Sequence, residues 1–111
     1  MSSPTQRALK VLRDDGYHPA IVEKFVLHPK PRRVDMYGVG DVFAFKPGCR
    51  PVMIQACAAA SHAARVKKCK AWKLLDEWNK VGILEVWSFR KVKAKRGGKR
   101  MVWKLRREAI R

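Results

Sequence analysis

Val34-Asp35-Met36-Tyr37-Gly38-Val39-Gly40-Asp41-Val42-Phe43-Ala44-Phe45, followed after a Lys46-Pro47-Gly48 turn by Val52-Met53-Ile54-Gln55-Ala56-Cys57, decides how this chain folds. Two runs rich in β-branched and aromatic residues flank a short loop, which predicts neighbouring strands. Each run carries a polar residue where a strand of this kind holds an apolar one: Asp41 opens the first and Gln55 stands near the end of the second. Antiparallel pairing through the loop brings the two side by side and makes an oxygen-rich site. Val52-Met53-Ile54 is apolar on both faces, which predicts the centre of a sheet rather than its edge. Gly38-Val39-Gly40 supplies a tight bend in which backbone can approach a neighbour or a ligand closely.

Upstream, Ser3-Pro4 caps and opens a helix with Ala8, Leu9, Val11 and Leu12 on its buried side and Gly16 at its end. Residues 20–27 predict a first strand with Glu23 in its middle, and residues 32–37 a second. Downstream, the alanine-rich stretch from 58 or 61 to 80 contains neither Gly nor Pro and predicts the longest helix, stopped by Gly82. Residues 83–89 predict a returning strand, 90–100 a basic hairpin or arm, and 101–105 a last strand. The order of helix, three or four strands, long helix and two strands indicates an α/β domain with a mixed central sheet. With 111 residues, the chain is expected to form one small domain over 1–111.

The formal charge of +17 far exceeds what solubility requires and points to a polyanionic partner. Nucleic acid is expected before membrane, because no long uncharged apolar run is present. Cys49, Cys57 and Cys69 are an odd set without short pair spacing, so neither a disulfide framework nor a zinc knuckle is indicated. Reduced thiols and an N-terminus without an apolar signal centre lead to an expectation of a cytoplasmic protein.

Against that basic background Glu23, Asp35 and Asp41 are three of only nine acids, and Glu23 and Asp41 lie in or beside apolar runs. Carboxylates rarely sit there unless paired with a cation or a metal. Magnesium takes oxygen ligands and keeps several waters, so Asp41, the side-chain oxygen of Gln55 and the Ala56 carbonyl are a sufficient set, with Glu23 across the site. Manganese is the alternative ion. The competing reading has Glu23 and Asp41 neutralise Arg32, Arg33 or Arg65. Asp35 is expected in a salt bridge first and as a ligand second.

The pattern of Glu23, then Gly38-Val39-Gly40-Asp41-Val42-Phe43-Ala44-Phe45, a short loop and Val52-Met53-Ile54-Gln55-Ala56-Cys57 running into a helix, resembles the PD-(D/E)XK nuclease superfamily. Within it the chain is most similar to small phage and archaeal Holliday-junction resolvases and virus-type replication-repair nucleases. The resemblance covers roughly residues 5–90. It implies an αβββαβ restriction-endonuclease-like core in which Asp41 takes the role of the metal-binding aspartate, Gln55 that of the following acid and Glu23 that of the N-terminal glutamate. The sequence departs from the pattern twice. Gln55 keeps an oxygen but loses a charge, and Cys57 occupies the position of the lysine that complements charge on the phosphate. Lys68 is the first substitute for that lysine and Arg65 the second.

The resemblance therefore implies a magnesium-dependent, structure-selective endodeoxyribonuclease, a junction resolvase of phage type, acting as a two-fold dimer because a junction offers two equivalent strands. Arg32, Arg33, Lys67, Lys70 and Lys73, with Arg90, Lys93, Lys95, Arg96, Lys99 and Arg100, are expected to hold the DNA through its phosphates. Two alternatives stay open: a nuclease-fold DNA-binding protein that does not cut, and a small basic RNA-binding protein whose acids are structural.

Overall fold

The computed structural model describes residues 3–111. Helix α1 (Pro4–Asp14) starts as its sequence predicts: Pro4 stands in the first turn, and the Ser3 hydroxyl accepts from the Gln6 amide at 3.2 Å. Strands β1 (His18–Ile21), β2 (Lys24–Val26), β3 (Arg32–Val34), β4 (Val42–Phe45) and β5 (Val52–Ala58) follow. A single 3-10 turn leads into α2 (His62–Lys70), α3 (Leu75–Asn79), and the long strands β6 (Ile83–Lys93) and β7 (Met101–Ala109). The main sheet has the order β1-β4-β5-β6-β7, with β5 and β6 parallel and every other pair antiparallel. With α1 before the three-strand meander and α2 on the crossover to β6, this is a mixed α/β sheet of αβββαβ type.

Both faces of the sheet are covered, and the register explains which residues go where. Val42, Ala44, Val52, Ile54, Ala56, Trp87 and Phe89 share one face and pack on Ala8, Leu9 and Leu12 of α1. Met53, Cys57, Leu84 and Val86 share the other and pack with Cys69 of α2 and Leu75 of α3. β5 is central and buried from Val52 to Cys57, as its two-sided apolar run predicts.

Several predicted elements differ. Residues 20–27 do not form one strand: the chain leaves the main sheet after Ile21, and β2 pairs only with β3 in a separate two-stranded sheet. Glu23 falls in the crossing between the two sheets. The second predicted strand ends at Val34, and Asp35 enters a turn. The long helix is broken between Lys70 and Leu75, because Trp72 and Trp78 turn inward onto the second core cluster and a continuous helix could not seat both. At the end of α3, a Cβ on Gly82 would meet the Trp78 ring at 2.5 Å, so only glycine fits there. β6 runs on through Lys93, and β7 pairs with it from Met101, leaving residues 94–100 as the connection.

Candidate metal centre

The β4–β5 register pairs Val42 with Ile54, so the next step outward sets Asp41 opposite Gln55 on the same face. The Gln55 side-chain amide donates to Asp41 Oδ2 at 2.6 Å, and the Ala56 backbone amide donates to the same oxygen at 3.0 Å. Neither amide bonds Asp41 Oδ1. Gly40 makes this approach possible, since a Cβ there would overlap the buried Met53 side chain at 2.4 Å.

Glu23 and Asp35 come to the same place from the crossing after β1 and the turn after β3. One ligand oxygen from each of Glu23, Asp35 and Asp41 lies within 4.8 Å of the others. The three acids line a cavity of about 590 Å³ together with Gln55, Ala56, Arg65 and Lys68. Arg65 and Lys68 are three residues apart on α2 and so share one helix face. Lys68 Nζ reaches Asp35 Oδ2 at 3.1 Å. Arg33 Nη1 lies 3.4 Å from Glu23 Oε1, so the salt-bridge reading of Glu23 holds for that residue. No arginine or lysine pairs with Asp41 among the described residues; two amides donate to its Oδ2, and the Asp35 carboxyl lies against it.

The electrostatics follow from burial and crowding. Burial first, and then the adjacent Asp35 carboxylate, push the Asp41 carboxyl up to about 7. Asp35 moves the other way: its own burial opposes the shift, but its bonds to Asp41 and Lys68 hold it below the ordinary carboxylate range. Gln55 is 1% exposed, and with its nitrogen committed to Asp41 its Oε1 is buried without a donor. An unsatisfied acceptor beside three clustered carboxylates fits a divalent cation, whose charge and bound waters supply what the protein does not.

Asp35 takes both places expected of it, bonding Lys68 and joining the cluster, although the choice of Lys68 as its partner was not foreseen. Nor did sequence reasoning foresee the first turn of α1, whose Ser3, Pro4 and Thr5 line the same cavity. Cys57, at the position the resemblance gives to lysine, is 5% exposed in the second core cluster, and burial raises its thiol pKa. The cations of α2 instead reach the cavity from above. Arg32, Arg33, Lys67, Lys70 and Lys73 are exposed, as are Arg90, Lys93, Lys95, Arg96, Lys99 and Arg100. His62 lies elsewhere: its ring joins Ser88 Oγ at 2.6 Å and Glu108 Oε1 at 3.0 Å, tying the start of α2 to β6 and β7. Among the tryptophans, Trp87 is core and Trp103 is half exposed beneath the Arg7 guanidinium, 3.4 Å from its ring centre.

No helix among the described residues is long and apolar enough to cross a membrane. No protein-family model, curated protein or solved structure matches this chain.

Proposed function

We propose that the protein is a divalent-metal-dependent endonuclease that hydrolyses DNA phosphodiester bonds at branched structures, in the manner of a junction resolvase. The observation that supports this most is the convergence of Glu23, Asp35 and Asp41 at one end of an αβββαβ core in a chain of net charge +17. A merely structural role would distribute these acids among the many cations instead of massing them against one another.

Asp41 Oδ1, an Asp35 oxygen, Gln55 Oε1 and the Ala56 carbonyl are the groups that would hold magnesium or manganese, with Glu23 completing the set or a second site. Ala56 presents its amide to Asp41, and in a strand the carbonyl of the same residue leaves on the same edge. The chemistry a divalent ion supplies when bound is polarisation of a phosphoryl oxygen and acidification of water. Lys68, steadied by Asp35, offsets negative charge that develops on the phosphate, with Arg65 beside it. Glu23, held by Arg33, orients the attacking water. The α1 N-terminus turns its positive dipole end toward the same cavity. The exposed cations hold the flanking phosphates, and a junction's two equivalent strands call for two sites in a two-fold dimer.

The test is incubation of the purified protein with four-way-junction and linear duplex DNA in magnesium, in manganese and in chelator. Metal-dependent cutting of the junction is expected, and its loss in Asp41→Ala with DNA binding retained. Absence of cutting in either metal, or cutting that survives Asp41→Ala, overturns the reading.

A further inference from the structure

The turn between Asp35 and Asp41 carries a residue that its backbone does not favour. The Val39 amide donates to the Met36 carbonyl at 3.1 Å, and both central residues have positive φ, 54° at Tyr37 and 75° at Gly38. Turns with two positive φ values are built from Asn, Asp and Gly, because a β-carbon clashes with the backbone there and a bulky side chain makes it worse. Tyr37 takes the first of these positions, and the residue is 66% exposed, so burial does little to offset the strain. Its only aromatic neighbour among the described residues is Trp72, tilted at 39° with ring centres 5.8 Å apart. A strained, exposed aromatic fixed between two carboxylates of a candidate site indicates a contact with something outside the protein.

Beside Tyr37 lies an open cleft of about 650 Å³ with apolar walls from Ile21, Val22, Val34 and Met36. Glu23 and Asp35 line both this cleft and the acidic cavity, so the two spaces share a wall. The cleft is therefore within reach of a nucleoside attached to a phosphate held in the cavity. The bordering carboxylates repel a second phosphate there but accept hydrogen bonds from exocyclic amines, and the apolar walls and Tyr37 ring suit a flat, neutral group. We propose that Tyr37 and this cleft bind an unpaired nucleobase next to the phosphate at the acidic centre. The proposal rests on the nuclease reading and narrows it: a base stacked within continuous duplex cannot reach the cleft, so the attacked phosphate adjoins a nucleotide that is unpaired or can leave its stack, as at a branch point.

The experiment measures binding, with calcium present so that the carboxylates do not repel the phosphate, to fluorescently labelled branched DNA with an unpaired nucleotide at the branch, and to the same DNA made abasic there. Tyr37→Asn relieves the turn and removes the ring, whereas Tyr37→Phe keeps the ring. Tyr37→Asn is expected to melt higher than the native protein yet bind the intact DNA about ten-fold more weakly, with Tyr37→Phe close to native. On the abasic DNA, native protein and Tyr37→Asn are expected to bind equally. Equal binding of native protein and Tyr37→Asn to the intact DNA, or the same weakening on both DNAs, overturns the inference. No cutting enters this measurement. A protein that never cuts but shows the ring–base coupling loses the nuclease reading alone, and one that cuts without the coupling loses the nucleobase site alone.

Discussion

Gln55 stands opposite Asp41 across the β4–β5 ladder and gives its side-chain nitrogen to the carboxylate at 2.6 Å, which leaves its own oxygen buried without a donor. The pair is half satisfied within the protein. Gln55→Glu removes the donor and sets a fourth carboxylate against the other three. In chelator this variant is expected to lose about 2–3 kcal/mol, the scale of a buried hydrogen bond to a charged group. With magnesium the added charge is expected to bind the ion more tightly, so that the rise in melting temperature exceeds that of the native protein. Thermal melts with and without magnesium decide it. An unchanged stability in chelator and no greater gain with the ion would remove Gln55 from the site.

Lys68 separates binding from chemistry. Its bond to Asp35 is partly exposed, so Lys68→Ala is expected to cost no more than about 1 kcal/mol of stability. If the ammonium complements the phosphate, cutting should fall about 10²–10³-fold while DNA affinity changes little. Single-turnover rates at saturating DNA, set beside the same measurement on Arg65→Ala, assign the role. A native rate in Lys68→Ala with a collapsed rate in Arg65→Ala would move it one helical turn back along α2.

The parts of this arrangement that sequence shows are those fixed by strand periodicity. Asp41, Gln55 and the central place of β5 follow from two short apolar runs joined by a turn, because a one-residue slip would turn Val42, Ala44 and Ile54 out of the core and the short turn limits larger slips. Elements decided by long-range packing are not visible in the same way. The apolar run at 20–27 continues past Ile21, and nothing local marks the point at which the chain leaves one sheet for another at Glu23. The helix break before Leu75 has neither Gly nor Pro, and it is the inward seating of Trp72 and Trp78 that sets it. Asp35 combines both of its expected roles, salt bridge and cluster member, which spacing alone does not separate.

The β6–β7 connection offers a test of how DNA is held. Lys95, Arg96, Lys99 and Arg100 are exposed around residues 94–100, far from the acidic cavity in sequence and absent from its lining. Replacing all four by Ser is expected to flatten the log–log dependence of DNA affinity on salt by about 0.9 for each phosphate that is no longer neutralised. The cutting rate at saturating DNA should be unchanged. An unaltered salt slope would show that this tip does not touch DNA, and would leave affinity to Arg33 and the cations of α2.

The Asp41 carboxyl gives the centre a pH dependence whose sign is fixed by the direction of its shift. Its folded pKa of about 7 stands well above its ordinary 3.8, so between those values the ion-free folded protein holds a proton that the unfolded chain has released. Stability without metal should therefore fall as pH rises from about 4 to about 7 and level off above. Asp35, shifted downward, acts in the opposite sense and only below its ordinary value, so it does not cancel the trend in this window. A divalent ion must displace the Asp41 proton, and the rise in melting temperature caused by magnesium should grow with pH up to about 7 and then flatten. Calorimetric titration in buffers of different ionisation enthalpy should find close to one proton released per site at about pH 6, and almost none at about pH 8.5. Magnesium stabilisation that is flat across this range, or that shrinks as pH rises, would mean that Asp41 is not the carboxylate on which the ion sits.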